Sequence, residues 1–150
     1  MAESAQDVQA AVWLAHAEGR GVGVMATGHG VASAGEGGVL VNTSRMRATA
    51  IDPATRTARV GAGARWSDVI PGAAAYGLAG LPGSSSGVGV VGYTMGGGFG
   101  WLGRRYGFAA DSVRSAQVVT AQGALVRAGL DEYPDLLWGL AGAAGATSAW

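Results

Sequence analysis

Few residues in this chain have the types and surroundings that chemistry needs. Thr27-Gly28-His29-Gly30 follows the apolar run Val22–Ala26 and sets an imidazole between two glycines. Glycine on both sides lets backbone pass close to a ligand and leaves the ring unshielded. An ordinary loop histidine fits the same pattern, and the residues alone leave both readings open. His16, on the polar side of the first helix, reads as a surface residue. Ser84-Ser85-Ser86 could act as a nucleophile only with a histidine base and an orienting acid. His16 and His29 are the only histidines, so a loop that hydrogen-bonds a ligand or its own backbone is the better reading. No spacing of His with Asp or Glu resembles a metal site.

Two segments satisfy G-x-G-x-x-G, residues 87–92 and 98–103. A Rossmann site needs a strand before the first glycine, a helix opening from the motif, and an acid about 20 residues on. Asp111 lies 19 residues after Gly92, but serines rather than an apolar strand precede the first match. A Rossmann NAD(P) enzyme therefore stands as an alternative, and a dinucleotide bound by another architecture stays open. Asp111 reads as a turn or cap residue, and Trp101 and Trp138 read as core.

The elements that must position these residues follow from periodicity. Gln6–Glu18 carries Val8, Ala11, Val12 and Ala15 on one face with Gly19 just beyond, a helix with a glycine stop. Val22–Ala26 and Val39–Thr43 read as buried strands, joined by the glycine-rich loop Thr27–Gly38. Thr49–Asp52 and Arg56–Gly61 flank the turn Asp52-Pro53-Ala54-Thr55 as a hairpin. Trp66–Tyr76 is a second helix, with Ser67 or Asp68 in its first turn and Gly77 as its stop, and Pro71 should shift its start or kink it. Leu81–Gly92 reads as irregular loop. Tyr93–Tyr106 has Met95, Phe99 and Leu102 at helical spacing and reads as a short glycine-bearing helix. Arg114–Ala121 and Ala124–Ala128 pair across Gln122-Gly123, and Asp131–Leu140 is a short helix with Asp131 as N-cap. This mixed order, without strict βαβ alternation, favours an α+β fold.

Composition bounds the functional classes. The 150 residues carry ten arginines, no lysine, ten acids and no cysteine. That excludes a lysine Schiff base, a P-loop lysine, a disulfide framework and a cysteine nucleophile. Zero net charge without a basic stripe argues against a nucleic-acid partner. No run reaches the roughly 18 to 20 apolar residues of a membrane helix. Met1–Gln6 lacks the basic and apolar regions of a signal peptide, so the expectation is a cytoplasmic protein with no membrane partner. The 28 glycines compare with a usual share of about 7% and fall between apolar segments, as in a domain whose loops approach something closely.

Six segments in order carry a resemblance: VGVMATGHG (22–30), GGVLVNTSRMR (37–47), IDPATRTARVGAGARWSDV (51–69), GSSSGVGVVGYTMGGGFGWLGRRYGFAADSV (83–113), AQVVTAQGALVRA (116–128) and DLLWGL (135–140). Together they resemble the PCMH-type FAD-binding domain of the vanillyl-alcohol-oxidase superfamily, in its berberine-bridge-enzyme-like branch. The likeness runs from about Asp7 to Gly145. It implies FAD as cofactor, a flavin-dependent oxidation of a small-molecule substrate, and oxygen as a common acceptor. It also implies two small α/β subdomains, about 7–61 with a mixed or parallel sheet and about 62–150 with an antiparallel sheet.

By the same resemblance, Val24, Met25, Ala26, Thr27, Gly28, His29 and Gly30 wrap the pyrophosphate and the dimethylbenzene end of the flavin. His29 matches the histidine that bonds covalently to the flavin 8α-methyl carbon. Backbone N–H groups in such a loop can neutralise phosphate without lysine. Ser85, Gly89, Val90, Val91, Gly92, Tyr93 and Phe99 would line the flavin. Ser85 stands where bicovalent members have cysteine, so one covalent bond at most is expected.

The departures are also expectations. The substrate domain that follows in the family, with its catalytic base, has no counterpart here, and neither does the strand that precedes the first helix. The family pattern continues after the DLLWGL-like segment with a glycine run and Asn-Phe-Gly-Val-Val. Codons GGC-AAC-TTC-GGC-GTG-GTG-A read one base out of register give Ala-Thr-Ser-Ala-Trp-stop, which reproduces residues 146–150. A frameshift within the glycine codons near 141–145 is therefore expected. The competing function is a non-catalytic frameshifted remnant with weak or no FAD binding.

Overall fold

The structure is a computed structural model that describes residues 1–30 and 37–143. Helix α1 spans Ala5–Ala17 and starts at a capping box: Ser4 Oγ accepts from Asp7 N, and the Asp7 carboxylate accepts from the Ser4 and Glu3 amides. It ends where Gly19, at φ +63°, donates to His16 O while Arg20 N reaches Ala15 O. This paired closure is the Schellman arrangement, and glycine takes its left-handed position without steric cost.

Strands β1 (Val22–Met25) and β2 (Val39–Asn42) pair in parallel, Val22 opposite Val39. Strands β3 (Thr49–Asp52) and β4 (Thr57–Val60) form the expected antiparallel hairpin. Its second strand begins at Thr57 and not at Arg56, because Arg56 takes a left-handed conformation (φ +54°) to close the turn. Asp52 organises that turn, accepting from the Ala54 and Thr55 amides and the Thr55 hydroxyl.

Helix α2 runs Trp66–Ala74 with Pro71 inside it. The expected shift of its start does not occur, since the helix begins at Trp66. Its end repeats the α1 closure, with Gly77 N on Ala74 O and Leu78 N on Ala73 O. Trp66, Val69 and Val90 form a buried cluster against which Ile51, Val60, Val88 and Tyr93 pack. The core thus lies between the β3–β4 hairpin and α2, closed by the segment entering the next helix.

Residues 90–106 are not one helix. Val90–Met95 forms α3 and Gly103–Tyr106 forms α4, separated by Gly96–Leu102. Three consecutive glycines lose too much backbone entropy to be carried by spaced apolar residues. Helix α3 also begins inside the stretch expected to be loop, with Gly89 as its N-cap. A 3₁₀ turn at Ala109–Ser112 follows, where Asp111 Oδ2 accepts from Phe108 N as the expected cap residue.

Strands β5 (Ser115–Val119) and β6 (Leu125–Gly129) pair antiparallel. Helix α5 covers only Pro134–Trp138, followed by a π turn at Gly139–Ala143. Its N-cap is Tyr133 in a left-handed conformation and not Asp131, because Pro134 fits the first helical position and sets the start there. The α+β class holds, with one parallel and two antiparallel strand pairs among the described residues. No helix among them is long and apolar enough to cross a membrane. The expected frameshift near 141–145 falls partly, and its product at 146–150 wholly, outside the described residues, as does the 31–36 part of the Thr27–Gly38 loop.

Candidate functional site

The site begins where β1 ends. Thr43 N donates to Met25 O, fixing the last residue of β1 against the exit of β2, and the chain then leaves the sheet as Ala26–Gly30. Gly28 and Gly30 take φ +76° and +73°, conformations that L side chains rarely adopt. Between them His29 is exposed, its amide donating to Thr27 Oγ1 at 3.4 Å.

The second wall is the segment 84–93. Ser84–Gly87 is exposed, and Ser85 Oγ accepts from Gly87 N at 3.4 Å. This is the loop that hydrogen-bonds its own backbone, as its composition predicts. From Ser86 to Val90 the segment is strapped to the start of α2 by three backbone bonds. Ser67 N donates to Ser86 O, Trp66 N to Val88 O, and Val90 N to Ala64 O, at 2.8, 3.1 and 2.9 Å.

The two walls meet at Gly89. A Cβ there would stand 3.4 Å from Thr27 Cγ2 and 3.8 Å from Ala26 Cβ. Two glycine-rich segments more than fifty residues apart in the sequence are thus neighbours, with about the space of a methyl group between them. Gly92 is exposed and faces open space, as does Gly30.

The other flavin-lining candidates divide. Val90 turns its side chain into the core, 7% exposed, beside Trp66 and Val69. Val91 is half-buried on α3. The Tyr93 ring packs edge-on to Trp66, centroids 5.9 Å apart. It lies under the backbone of residues 83, 98 and 100, where a Cβ on Gly98 would come within 2.6 Å of it. The Tyr93 hydroxyl is buried with no hydrogen-bond partner among the described residues, and burial pushes its pKa above the usual tyrosine value. Phe99 is 62% exposed, tilted against Phe108 at 5.4 Å.

Trp101 and Trp138 are not core residues: they are 84% and 74% exposed. Trp101 sits in the segment that breaks α3 from α4, where no periodicity points it inward. Trp138 is the last residue of α5, one place beyond the buried Leu137. With Ser84, Phe99 and Gly100, Trp101 lines an open hollow of about 280 Å³ that motif reasoning did not find. No group of three His, Cys, Asp or Glu among the described residues could hold a metal ion.

These residues fit the FAD that the resemblance implies. A buried hydroxyl without a partner is costly unless something completes it, and Tyr93 offers one beneath the serine-rich wall. Left-handed backbone at Gly28 and Gly30, with open space at Gly30 and Gly92, gives an anionic dinucleotide close access to the main chain.

Comparison with known proteins points the same way. The family model described as an FAD binding domain matches residues 1–129. (R)-6-hydroxynicotine oxidase of Paenarthrobacter nicotinovorans is 36% identical over 143 residues, covering 93% of this chain and 31% of that protein. Xylooligosaccharide oxidase of Thermothelomyces thermophilus is 38% identical over 143 residues, covering 92% and 29%. The solved structure of 6-hydroxy-D-nicotine oxidase from Arthrobacter nicotinovorans matches with a TM-score of 0.88 at 36% identity, over 95% of this chain and 32% of that one. The chain spans less than a third of the length of the curated relatives it matches.

Proposed function

The chain belongs to the FAD binding domain family, in the berberine-bridge-enzyme-like branch of the vanillyl-alcohol-oxidase superfamily, and from that membership we propose that it is the cofactor-binding part of an FAD-dependent oxidoreductase. The observation that carries this reading is the meeting of two glycine-rich walls at Gly89 and Thr27, with exposed His29 on one and exposed Ser85 on the other.

Val24–Gly30 take the pyrophosphate and the dimethylbenzene end, and His29 is the attachment point for the flavin 8α-methyl carbon. Ser85, Gly89, Val91, Gly92, Tyr93 and Phe99 flank the ring system, and Val90 supports them from the core side. Bound FAD supplies the two-electron oxidation; the residues of this chain hold and orient it. The substrate is a small molecule, oxygen is the acceptor, and the base comes from residues beyond those of this chain. The subdomain division near residue 61 belongs to the same reading, since the two walls come from opposite sides of it.

The chain purified with flavin, or titrated with it, tests this. FAD-type absorbance is expected, with some flavin remaining on the protein after acid denaturation and none remaining in His29→Ala. Acid-stable flavin in that variant would remove His29 from its role. A second reading is a non-catalytic remnant that holds FAD weakly or not at all. A colourless chain that does not quench flavin fluorescence at micromolar concentration decides for it.

A further inference from the structure

Arg47 and Asp68 face each other across the proposed division near residue 61. Arg47 lies between β2 and β3, and Asp68 is the third residue of α2. The guanidinium donates twice, Nε to Oδ2 at 3.0 Å and Nη2 to Oδ1. Asp68 Oδ2 also accepts from Arg65 N at 2.8 Å. Isolated surface ion pairs contribute little. This one is a planar fork on a carboxylate whose side chain is 20% exposed, the geometry in which such pairs do constrain orientation.

What each partner carries gives the pair its meaning. The two amides ahead of Asp68, on Trp66 and Ser67, are orphan donors of a helix start, and they hold the carbonyls of Val88 and Ser86. The Ser85–Gly89 wall therefore hangs on the first turn of α2. On the other side, Met46, next to Arg47, donates its N–H to Thr43 O, and Thr43 N is bonded to Met25 O at the root of the Ala26–Gly30 wall. The hydrogen bond from Arg47, with that from Arg65 N, holds the Asp68 carboxyl below the usual carboxylate range.

We propose that Arg47 and Asp68 are positioning residues for the cofactor: their fork sets the separation and tilt of the Thr27–His29 wall relative to the Ser85–Gly89 wall. Neither residue touches FAD. The proposal rests on the FAD reading of the site, and its test includes an arm that needs no cofactor.

The chain has no cysteine, so cysteines introduced at His29 and Ser86 can be spin-labelled without interference. Pulsed electron–electron resonance on the cofactor-free protein is expected to give one narrow distance in the labelled parent. Arg47→Met and Asp68→Asn should each broaden it. In unlabelled protein each substitution should weaken FAD binding about tenfold, the scale of couplings carried through intermediate residues. The double variant should bind no more weakly than the weaker single variant, because both remove the same fork.

Arg47→Met removes an exposed side chain and keeps the fold testable should Asp68→Asn unfold the start of α2; melting curves identify that case. Unchanged distance widths in the folded variants, or losses that add in the double variant, overturn the proposal. A parent that binds no FAD overturns the cofactor reading instead, and the distance widths still decide on the fork.

Discussion

Gly89 faces Thr27 across the candidate site with room for a methyl group: a Cβ on the glycine would stand 3.4 Å from Thr27 Cγ2, an ordinary contact. Gly89 has extended backbone at φ −67° and ψ 130°, which any residue can adopt. Neither its conformation nor the space for a Cβ therefore excludes alanine. Gly89→Ala should bind FAD within about threefold of the parent, a difference under about 1 kcal/mol. Gly89→Val adds two methyl groups that must push the walls apart, and should weaken binding at least about tenfold. Flavin fluorescence titration of both variants checks the contrast, and equal affinities would mean that the walls do not close on the cofactor.

Tyr93 separates stability from binding. Its hydroxyl is buried without a partner among the described residues, an arrangement that costs about 1–3 kcal/mol when nothing completes it. Tyr93→Phe should therefore raise the melting temperature of the cofactor-free chain while lowering its affinity for FAD. A variant that melts lower without cofactor would show that the hydroxyl is already satisfied by the protein or by water.

Acid should weaken the fold through three carboxylates. Asp7 is held below its ordinary value by the Glu3 amide, Asp52 by the Thr55 hydroxyl and Asp68 by the Arg47 guanidinium. A group whose folded pKa is depressed binds fewer protons folded than unfolded. The stability it contributes is complete above the unfolded carboxylate value of about 3.9 and is lost as pH falls through the folded value. Melting temperatures should be level in pH just above that value and fall steeply below it, and Asp68→Asn should make the fall shallower. An unchanged slope in that variant would remove Asp68 from the account.

Trp101, despite its size, should be dispensable for folding. At 84% exposure it has little burial to lose, so Trp101→Ser should change stability by no more than about 0.5 kcal/mol. Val69→Ala, in the buried cluster, should cost about 1–3 kcal/mol. Chemical denaturation of the two variants provides the comparison.

What the residues reveal on their own depends on how local the cause is. Gly19, Gly77 and the Asp52–Thr55 turn announce themselves because the hydrogen bonds they make close within a few residues. The loop flanking His29 is legible for the same reason, its glycines following directly on an apolar strand. The break between α3 and α4 is not, because Met95, Phe99 and Leu102 imitate a helical face whose backbone the intervening glycines cannot sustain. Pro71 is tolerated in α2 because burial of Trp66, Val69 and Ala73 outweighs its missing N–H. The positions of Trp101 and Trp138 depend on which neighbours the tertiary fold brings near, and hydrophobicity alone misplaces them. Nothing local marks Arg47 and Asp68 as partners, since they are 21 residues apart, one in the connection between β2 and β3 and the other on α2. The meeting of Gly89 with Thr27 likewise follows only from the resemblance or from the fold.

The first helix is finished by the last hairpin. Gln9 Nε2 donates to Gly123 O across 114 residues, and Gly123, at φ +78°, lies so close to the Trp13 indole that an added Cβ would overlap the ring where it stands. Gly123→Ala should destabilise the chain by about 1–3 kcal/mol through strain and overlap together, measurable by thermal melting. The consequence reaches into synthesis. Helix α1 emerges from the ribosome first, yet the Gly123 turn that meets Trp13 is made only after both walls of the cofactor site. Contacts of such long span are slow to form, so a nascent chain arrested before residue 123 lacks the Gln9 and Trp13 contacts of its first helix, whatever the state of its flavin loops.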